Sequence, residues 1–296
     1  MQVAPRLPEW LRKPATHFVS LHGLKQDLRR LALHTVCEAA RCPNIHECFH
    51  RGTATFMILG DRCTRGCGFC AVPRAGPVIT APDPGEPARV AEMAARMDLR
   101  HVVITSVTRD DLAGGGAGHF AATISEVRQA LPAACVEVLT PDFGGDLDSV
   151  RRVLEAEPDV FNHNMETVAR LYPRVRPQAD YRRSLEVLSF ARRHRPRLLT
   201  KSGLMVGLGE EAEEVQALLR GLRAAGVDVV TIGQYLQPTR HNLPVAAYVR
   251  PEQFDAYGGY GLALGFKMVF SGPFVRSSYL AERVHELALG PQGAPC

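Results

Sequence analysis

From residue 53 onward one pattern recurs along the chain: a short apolar run of β type, a loop, then an amphipathic helix. The runs are TATFMILG (53–60), HVVITSV (101–107), CVEVLTPDF (135–143), DVFNHNME (159–166), LLTKSGLMVGLG (198–209) and DVVTIGQYLQP (228–238). Helices are predicted between and after them over 87–98, 119–131, 147–157, 181–194 and 213–226. Strands that alternate with helices build βαβ units on a parallel sheet. Six repeats fall short of the eight that close a barrel, so the pattern predicts an open, partial (β/α)6 barrel, with chemistry at the C-terminal ends of the strands. A chain of 296 residues, 46% of them hydrophobic, suits one such large α/β domain. The first 50 residues look irregular apart from a helix over 27–40.

Six of the eight cysteines fall between positions 37 and 70, in two sets of three. Cys63, Cys67 and Cys70 follow the first strand directly, spaced C-x3-C-x2-C; Cys37, Cys42 and Cys48 precede it, spaced C-x4-C-x5-C. A structural zinc site takes four protein ligands and a disulfide takes two, so six thiols do not make two closed tetrahedra. Three thiolates can hold three irons of a [4Fe–4S] cube and leave the fourth open to a small chelating molecule. The competing reading is zinc on the cysteines, with the Arg-rich runs 181–185 and 191–197 contacting nucleic acid. A net charge of +4 is too weak to imply nucleic acid by itself, and such runs usually solvate a helix face. Colour separates the two readings, since a zinc protein is colourless and an iron–sulfur protein is brown.

No apolar run approaches the ~18 residues of a membrane span. The N-terminus has neither the apolar core of a signal peptide nor the pattern of a transit peptide. A cytoplasmic chain is therefore expected, in a reducing compartment where cysteines are thiols or metal ligands. Cys135, opening an apolar run, reads as a buried core thiol, and Cys296, the last residue printed, as a thiol without function. The stretch DDLAGGGAGHF (110–120) lacks the Lys-Ser/Thr ending of a phosphate-binding loop and reads as the start of a helix near the site. No Ser–His–Asp set or paired carboxylates offer another mechanism.

The spacing C-x3-C-x2-C, with Phe69 before the last cysteine, resembles the signature of the radical S-adenosylmethionine (SAM) enzymes. That resemblance implies a cluster on Cys63, Cys67 and Cys70 whose open iron takes the methionine part of SAM. It also implies cofactor contacts from Gly203, Gly207 and Glu210 in GLMVGLGE, near the adenine, and from Asn164 and Glu166 in HNMET, near the ribose hydroxyls. A turn that needs glycine, or a helix cap, leaves the same traces.

With the upstream set included, the likeness narrows to the lipoyl synthases and spreads over nearly the whole chain. It is carried by EAARCPN, GTATFMILGDRCTRGCGFC, VVITSVTRDDL, FNHNMETVARLYPRVRP, KSGLMVGLGE, GQYLQPTRHNLPV and GPFVRSSY. One departure is PDFGGD, where an arginine would be expected after Phe143. The resemblance implies an extension at 1–52 and a C-terminal segment at 271–296 that carry an auxiliary cluster, around a barrel at 53–270. It implies that Cys37, Cys42 and Cys48 hold this second [4Fe–4S] cluster, with Ser278 of Arg276–Tyr279 as fourth ligand. Ser277, with the same hydroxyl, is expected to matter less. The implied substrate is an octanoyl chain amide-linked to a lysine of a carrier protein, into which sulfur is inserted at C6 and C8. Implied partners are lipoyl domains of 2-oxo acid dehydrogenase complexes, the glycine cleavage H protein, an electron donor protein and an iron–sulfur cluster supply protein; neither nucleic acid nor membrane is expected. Arg182, Arg192 and Arg193 are candidates for meeting an acidic carrier.

Overall fold

Eight strands form one sheet in strict chain order. The structure, a computed structural model, describes residues 7–12, 22–39, 42, 44–51, 53–281 and 283–284. The strands are β1 His34–Thr35, β2 Thr53–Ile58, β3 His101–Ser106, β4 Cys135–Leu139, β5 Val160–Asn162, β6 Leu199–Val206, β7 Val229–Gln234 and β8 Met268–Gly272. β2 through β8 are parallel, each bonded to the next, while β1 runs antiparallel on the outer edge of β2. The helices are α1 His22–Arg30, α2 Val36–Ala39, α3 Ile45–His50, α4 Glu86–Arg96, α5 Ala117–Ala130, α6 Leu147–Glu155, α7 Tyr172–Val175, α8 Tyr181–His194, α9 Ala212–Ala224 and α10 Pro251–Ala263. The expected alternation holds: six parallel strands, each followed by helix, make the partial barrel, and β8 adds a seventh strand. This strand runs to Gly272, past the expected boundary at 270.

Alternation along the strands separates two faces. Outward residues such as Val102, Ile104, Val136 and Val138 pack with α4, α5 and α6 in one cluster. Leu204, Val206, Val230 and Ile232 pack with α9 and α10 in another. Inward residues near the strand starts, Cys135, Val160, Leu199 and Val229, close the barrel floor with Phe270. Cys135 is thus the buried core thiol its sequence context suggests, 1% exposed.

Two expectations need correction. The helix expected over 27–40 is broken: α1 ends at Arg30, Ala32 takes a left-handed φ of 50°, and His34–Thr35 pair with Met57 and Phe56 before α2 begins. Its apolar spacing fits one helix, but the edge of β2 offers hydrogen bonds that a continued helix would leave unmade. The sequence reading also omits α3, which lies in the stretch expected to be irregular, and α7, α10 and β8. α10 carries Gly258, Gly259 and Gly261, poor helix formers that let it approach β8 closely. A Cβ on Gly261 would lie 2.9 Å from Val269 Cγ2. Among the described residues no helix is long and apolar enough to cross a membrane. Cys296, with Ala40, Arg41 and Pro43 of EAARCPN, lies outside the described residues.

Candidate functional site

The cysteine loop leaves β2 by a sharp turn. Leu59 and Gly60 both have positive φ, 68° and 93°, and Arg109 Nη1 donates to the Leu59 carbonyl at 3.2 Å. Backbone bonds then lace the loop to its surroundings. Cys63 N donates to Pro73 O at 3.0 Å, Thr64 N to Thr108 O at 3.0 Å and Gly68 N to Val175 O at 2.9 Å. Asn242 Nδ2 donates to Cys70 O at 2.8 Å. Gly68 is packed closely here: a Cβ would sit 2.8 Å from the Leu243 side chain, which would have to shift. The 114–116 glycines, all with positive φ, lead into α5 as expected, and a Cβ on Gly116 would lie 2.3 Å from Leu59 Cδ1.

The loop is also pinned electrostatically. Arg65, 6% exposed, donates to both carboxylate oxygens of Asp110 at 2.8 Å and pairs with Asp142 at 2.7 Å. Burial alone would raise the Asp142 carboxyl, yet Arg65 holds it down to about 2. Arg183 of α8 also reaches Asp142, at 3.3 Å, and packs over Gly145.

One cavity of about 440 Å³ opens at the C-terminal ends of the strands. Cys37, Cys42, Cys48, Cys70, Asn164, Glu166, Gly203, Ser277 and Ser278 all line it. Cys37, Cys42 and Cys48, Cys70 of the second set and the C-terminal serine, far apart in sequence, thus meet across one space. Cys63 and Cys67 belong to the same loop as Cys70 but stand off the cavity wall. Gly207 and Glu210 do not line it either. The Glu210 carboxylate accepts from the backbone of Gly207 and from that of Leu208, so it holds the turn after β6. Glu166 has a positive φ of 66°, bridges to Leu204 of β6, and accepts from Asn164 Nδ2 at 2.9 Å.

The N- and C-terminal segments touch directly. Asn44 Nδ2 donates to Phe274 O at 2.7 Å and Tyr279 OH donates to Glu47 Oε1 at 3.1 Å. Where the C-terminal segment crosses β7 the strand carries Gly233, and a Cβ there would lie 2.1 Å from the Val275 carbonyl oxygen. Sequence reasoning missed Arg65, Asp110, Asp142, Asn242 and Gly233; each acts through a partner distant in the chain.

The donor set fits iron–sulfur clusters. Among the described residues no cysteine is in a disulfide. Backbone N–H groups point at two sulfurs of the loop: Arg65 and Thr108 at Cys63 Sγ, 3.4 and 3.3 Å, and Val72 at Cys70 Sγ, 3.4 Å. Such donors stabilise thiolate charge. Burial pushes the Cys37 and Cys70 thiols up to about 12 and raises Cys67, against the pull of Arg176. They are therefore neutral thiols until a metal takes the place of the proton. Among the described residues no three Cys, His, Asp or Glu side chains gather closely enough to hold one metal ion.

Residues 57–233 match the model of the radical SAM superfamily, and residues 2–42 match that of the N-terminal domain of lipoyl synthase. The chain is 55% identical over 288 residues to the lipoyl synthase of Rubrobacter xylanophilus, covering 97% of this chain and 89% of that protein. It is 55% identical to the lipoyl synthase of Thermus thermophilus, covering 94% and 86%. Among solved structures it resembles HydG, a maturase of the [FeFe]-hydrogenase, with a TM-score of 0.59 at 12% identity, over 86% of this chain and 67% of that one. Methylornithine synthase (PylB) follows, with a TM-score of 0.55 at 16% identity, over 82% and 74%. At such identities these two establish the fold alone. The sequence relatives establish more: the chain belongs to the lipoyl synthases, radical SAM enzymes that insert sulfur with the aid of [4Fe–4S] clusters and S-adenosylmethionine.

Proposed function

We propose that this chain makes the lipoyl group on an octanoylated protein by inserting sulfur at C6 and C8 of the octanoyl chain. The observation that carries the reading is that Cys37, Cys42, Cys48, Cys70 and Ser278 line one cavity. Cys63, Cys67 and Cys70 would hold the SAM-binding cluster; Cys37, Cys42, Cys48 and Ser278 would hold an auxiliary one. When bound, the first cluster and SAM supply a radical able to take hydrogen from an unactivated carbon, and the second supplies the sulfur. That chemistry suits a substrate with no acidic proton at C6 or C8, where a general base has nothing to remove.

The chain's own residues bind, orient and exclude water. Asn164, Glu166 and Gly203 line the wall beside Cys70 and present polar atoms and open backbone suited to SAM. Gly207 and Glu210 support this wall indirectly, by fixing the turn that ends β6. Val36, Phe69, Leu236 and Val275 give the cavity an apolar side suited to an alkyl chain. The chain's two ends, 1–52 and 271–296, serve the auxiliary cluster and the barrel serves SAM. Lipoyl domains of 2-oxo acid dehydrogenase complexes and the glycine cleavage H protein are the carriers in this reading. An electron donor protein and a cluster supply protein complete it, in the cytoplasm.

Iron and sulfide counts test the reading. Anaerobic protein is expected to hold about eight of each per chain, four per cluster. Alanine at Cys63, Cys67 and Cys70 together is expected to leave about four irons and to abolish 5′-deoxyadenosine formation. Continued SAM cleavage by that variant would remove the cysteine loop from its role.

A further inference from the structure

Below the cavity the barrel interior turns polar. His101 of β3, Glu137 of β4, Asn162 of β5 and Lys201 of β6 are each 0% exposed. Two positions further along their strands, Leu139, Asn164 and Gly203 line the cavity, so the polar groups form the layer directly beneath its floor. Barrel interiors are usually filled by branched apolar side chains, and desolvating an ion pair can cost more than its attraction returns. Lys201 Nζ nevertheless reaches both oxygens of Glu137, at 2.9 and 3.0 Å, and His101 Nε2 stands 3.1 Å from the same carboxylate. Burial would raise the Glu137 carboxyl, but Lys201, His101 and Asn162 bring it down to about 2. It is a charged acceptor at any working pH.

That charge sets the sense of a hydrogen-bond chain. A carboxylate only accepts, so Asn162 must turn its amide nitrogen toward Glu137. Asn162 Nδ2 donates to Glu137 Oε1 at 2.8 Å and to Ser277 Oγ at 2.9 Å. The orientation is not free, since among the described residues Asn162 Oδ1 is left without a partner. The Ser277 hydroxyl, accepting from Asn162, donates to Asn164 Oδ1 at 3.1 Å, and Asn164 Nδ2 donates to Glu166 Oε1 at 2.9 Å. The route runs from a buried lysine to a carboxylate on the cavity wall and passes through the neighbour of Ser278.

We propose that Lys201, Glu137 and Asn162 are positioning residues: through Ser277 they clamp the Arg276–Tyr279 segment onto the barrel floor, and so fix Ser278 at the auxiliary cluster. Ser277, by sequence the serine expected to matter less, is the clamp's grip. The proposal rests on the reading of Ser278 as a cluster ligand, and the test separates the two.

The experiment uses the full chain with Cys63, Cys67 and Cys70 changed to alanine, so that only the auxiliary cluster loads, and records the electron paramagnetic resonance spectrum of the reduced cluster. Ser278→Ala is expected to shift the spectrum; an unchanged spectrum sinks the ligand reading and the clamp with it. Ser277→Ala is expected to lose the parental signal as well, and Ser277→Thr, which keeps the hydroxyl, to restore it. Asn162→Leu, close in size but without a donor, is expected to reproduce the Ser277→Ala spectrum, and the double variant to add nothing further. A parental spectrum in Ser277→Ala, with Ser278→Ala shifted, overturns the clamp alone. The Ser277 pair leaves the barrel interior untouched, so it decides the matter even if Asn162→Leu yields no folded protein.

Discussion

His163 stands beside Asn164 and is 1% exposed. Its Nδ1 lies 2.8 Å from the Thr140 carbonyl, which only a ring N–H can satisfy, and among the described residues Nε2 has no partner. Burial, seconded by the Arg176 guanidinium, lowers its pKa from 6.5 to about 4. On acidification the unfolded chain therefore takes up this proton first. Stability is full above 6.5 and is lost as pH falls toward 4, on the order of 3 kcal/mol in all. Urea titrations at pH 7, 5.5 and 4 should show this loss, and His163→Asn, which keeps a donor for Thr140 but cannot titrate, should flatten it. Equal pH slopes in the two proteins would exclude His163 as the source. At this scale the two cysteine sets were legible from their spacing, and the fold brings Cys37, Cys42, Cys48 and Cys70 to one cavity. Glu166 and Asn164 were legible as polar residues at a strand end. Arg65, Glu137 and Lys201 were not: a charged residue in a loop or a strand reads as solvated, and only the fold reveals a partner far along the chain.

At the scale of elements, the parallel strands and their helices stand close to where periodicity puts them, and the turn residues explain the small differences at their ends. α10 and β8 escaped because their fit depends on glycine. The buried face of α10 is Phe254, Tyr257 and then Gly261, a short apolar stripe that glycine interrupts, and β8 is only half-buried, so neither carries the usual signal. The same dependence on glycine lets the C-terminal segment cross β7. Gly233→Ala sets a methyl group against the Val275 carbonyl, and neither the sheet nor the crossing backbone can yield cheaply. The expected cost is about 1–3 kcal/mol. More specifically, bound iron should fall from about eight to about four per chain while the SAM-binding cluster remains. Full iron loading with an unchanged auxiliary signal would contradict the account of the crossing.

For the whole molecule, the placement of charge decides what can meet a carrier protein. Arg192, expected at such a surface, is instead tied to the carbonyls of Gly226 and Pro196 and to the Asp228 carboxylate. These partners precede β6 and β7, at the end of the barrel away from the cavity. Arg192→Met should therefore lower stability by roughly 2 kcal/mol, since it takes the closest cation from a buried carboxylate and leaves it Lys267 and the Thr200 N–H and hydroxyl. It should leave affinity for an octanoylated domain unchanged; weakened binding at equal stability would return Arg192 to the docking surface. The two ends of the chain carry a different consequence. Asn44 and Glu47 find their partners, Phe274 and Tyr279, some 230 residues later. At ~5–20 residues per second the ribosome takes about 10–50 s to cover that distance. Through that interval Cys37, Cys42 and Cys48 have been synthesised but the lid that covers them has not. In the proposed reading the auxiliary site is thus finished only after translation has passed Tyr279, and a message cut short inside β7 lacks Ser278 along with the core residues Phe254, Tyr257 and Phe270.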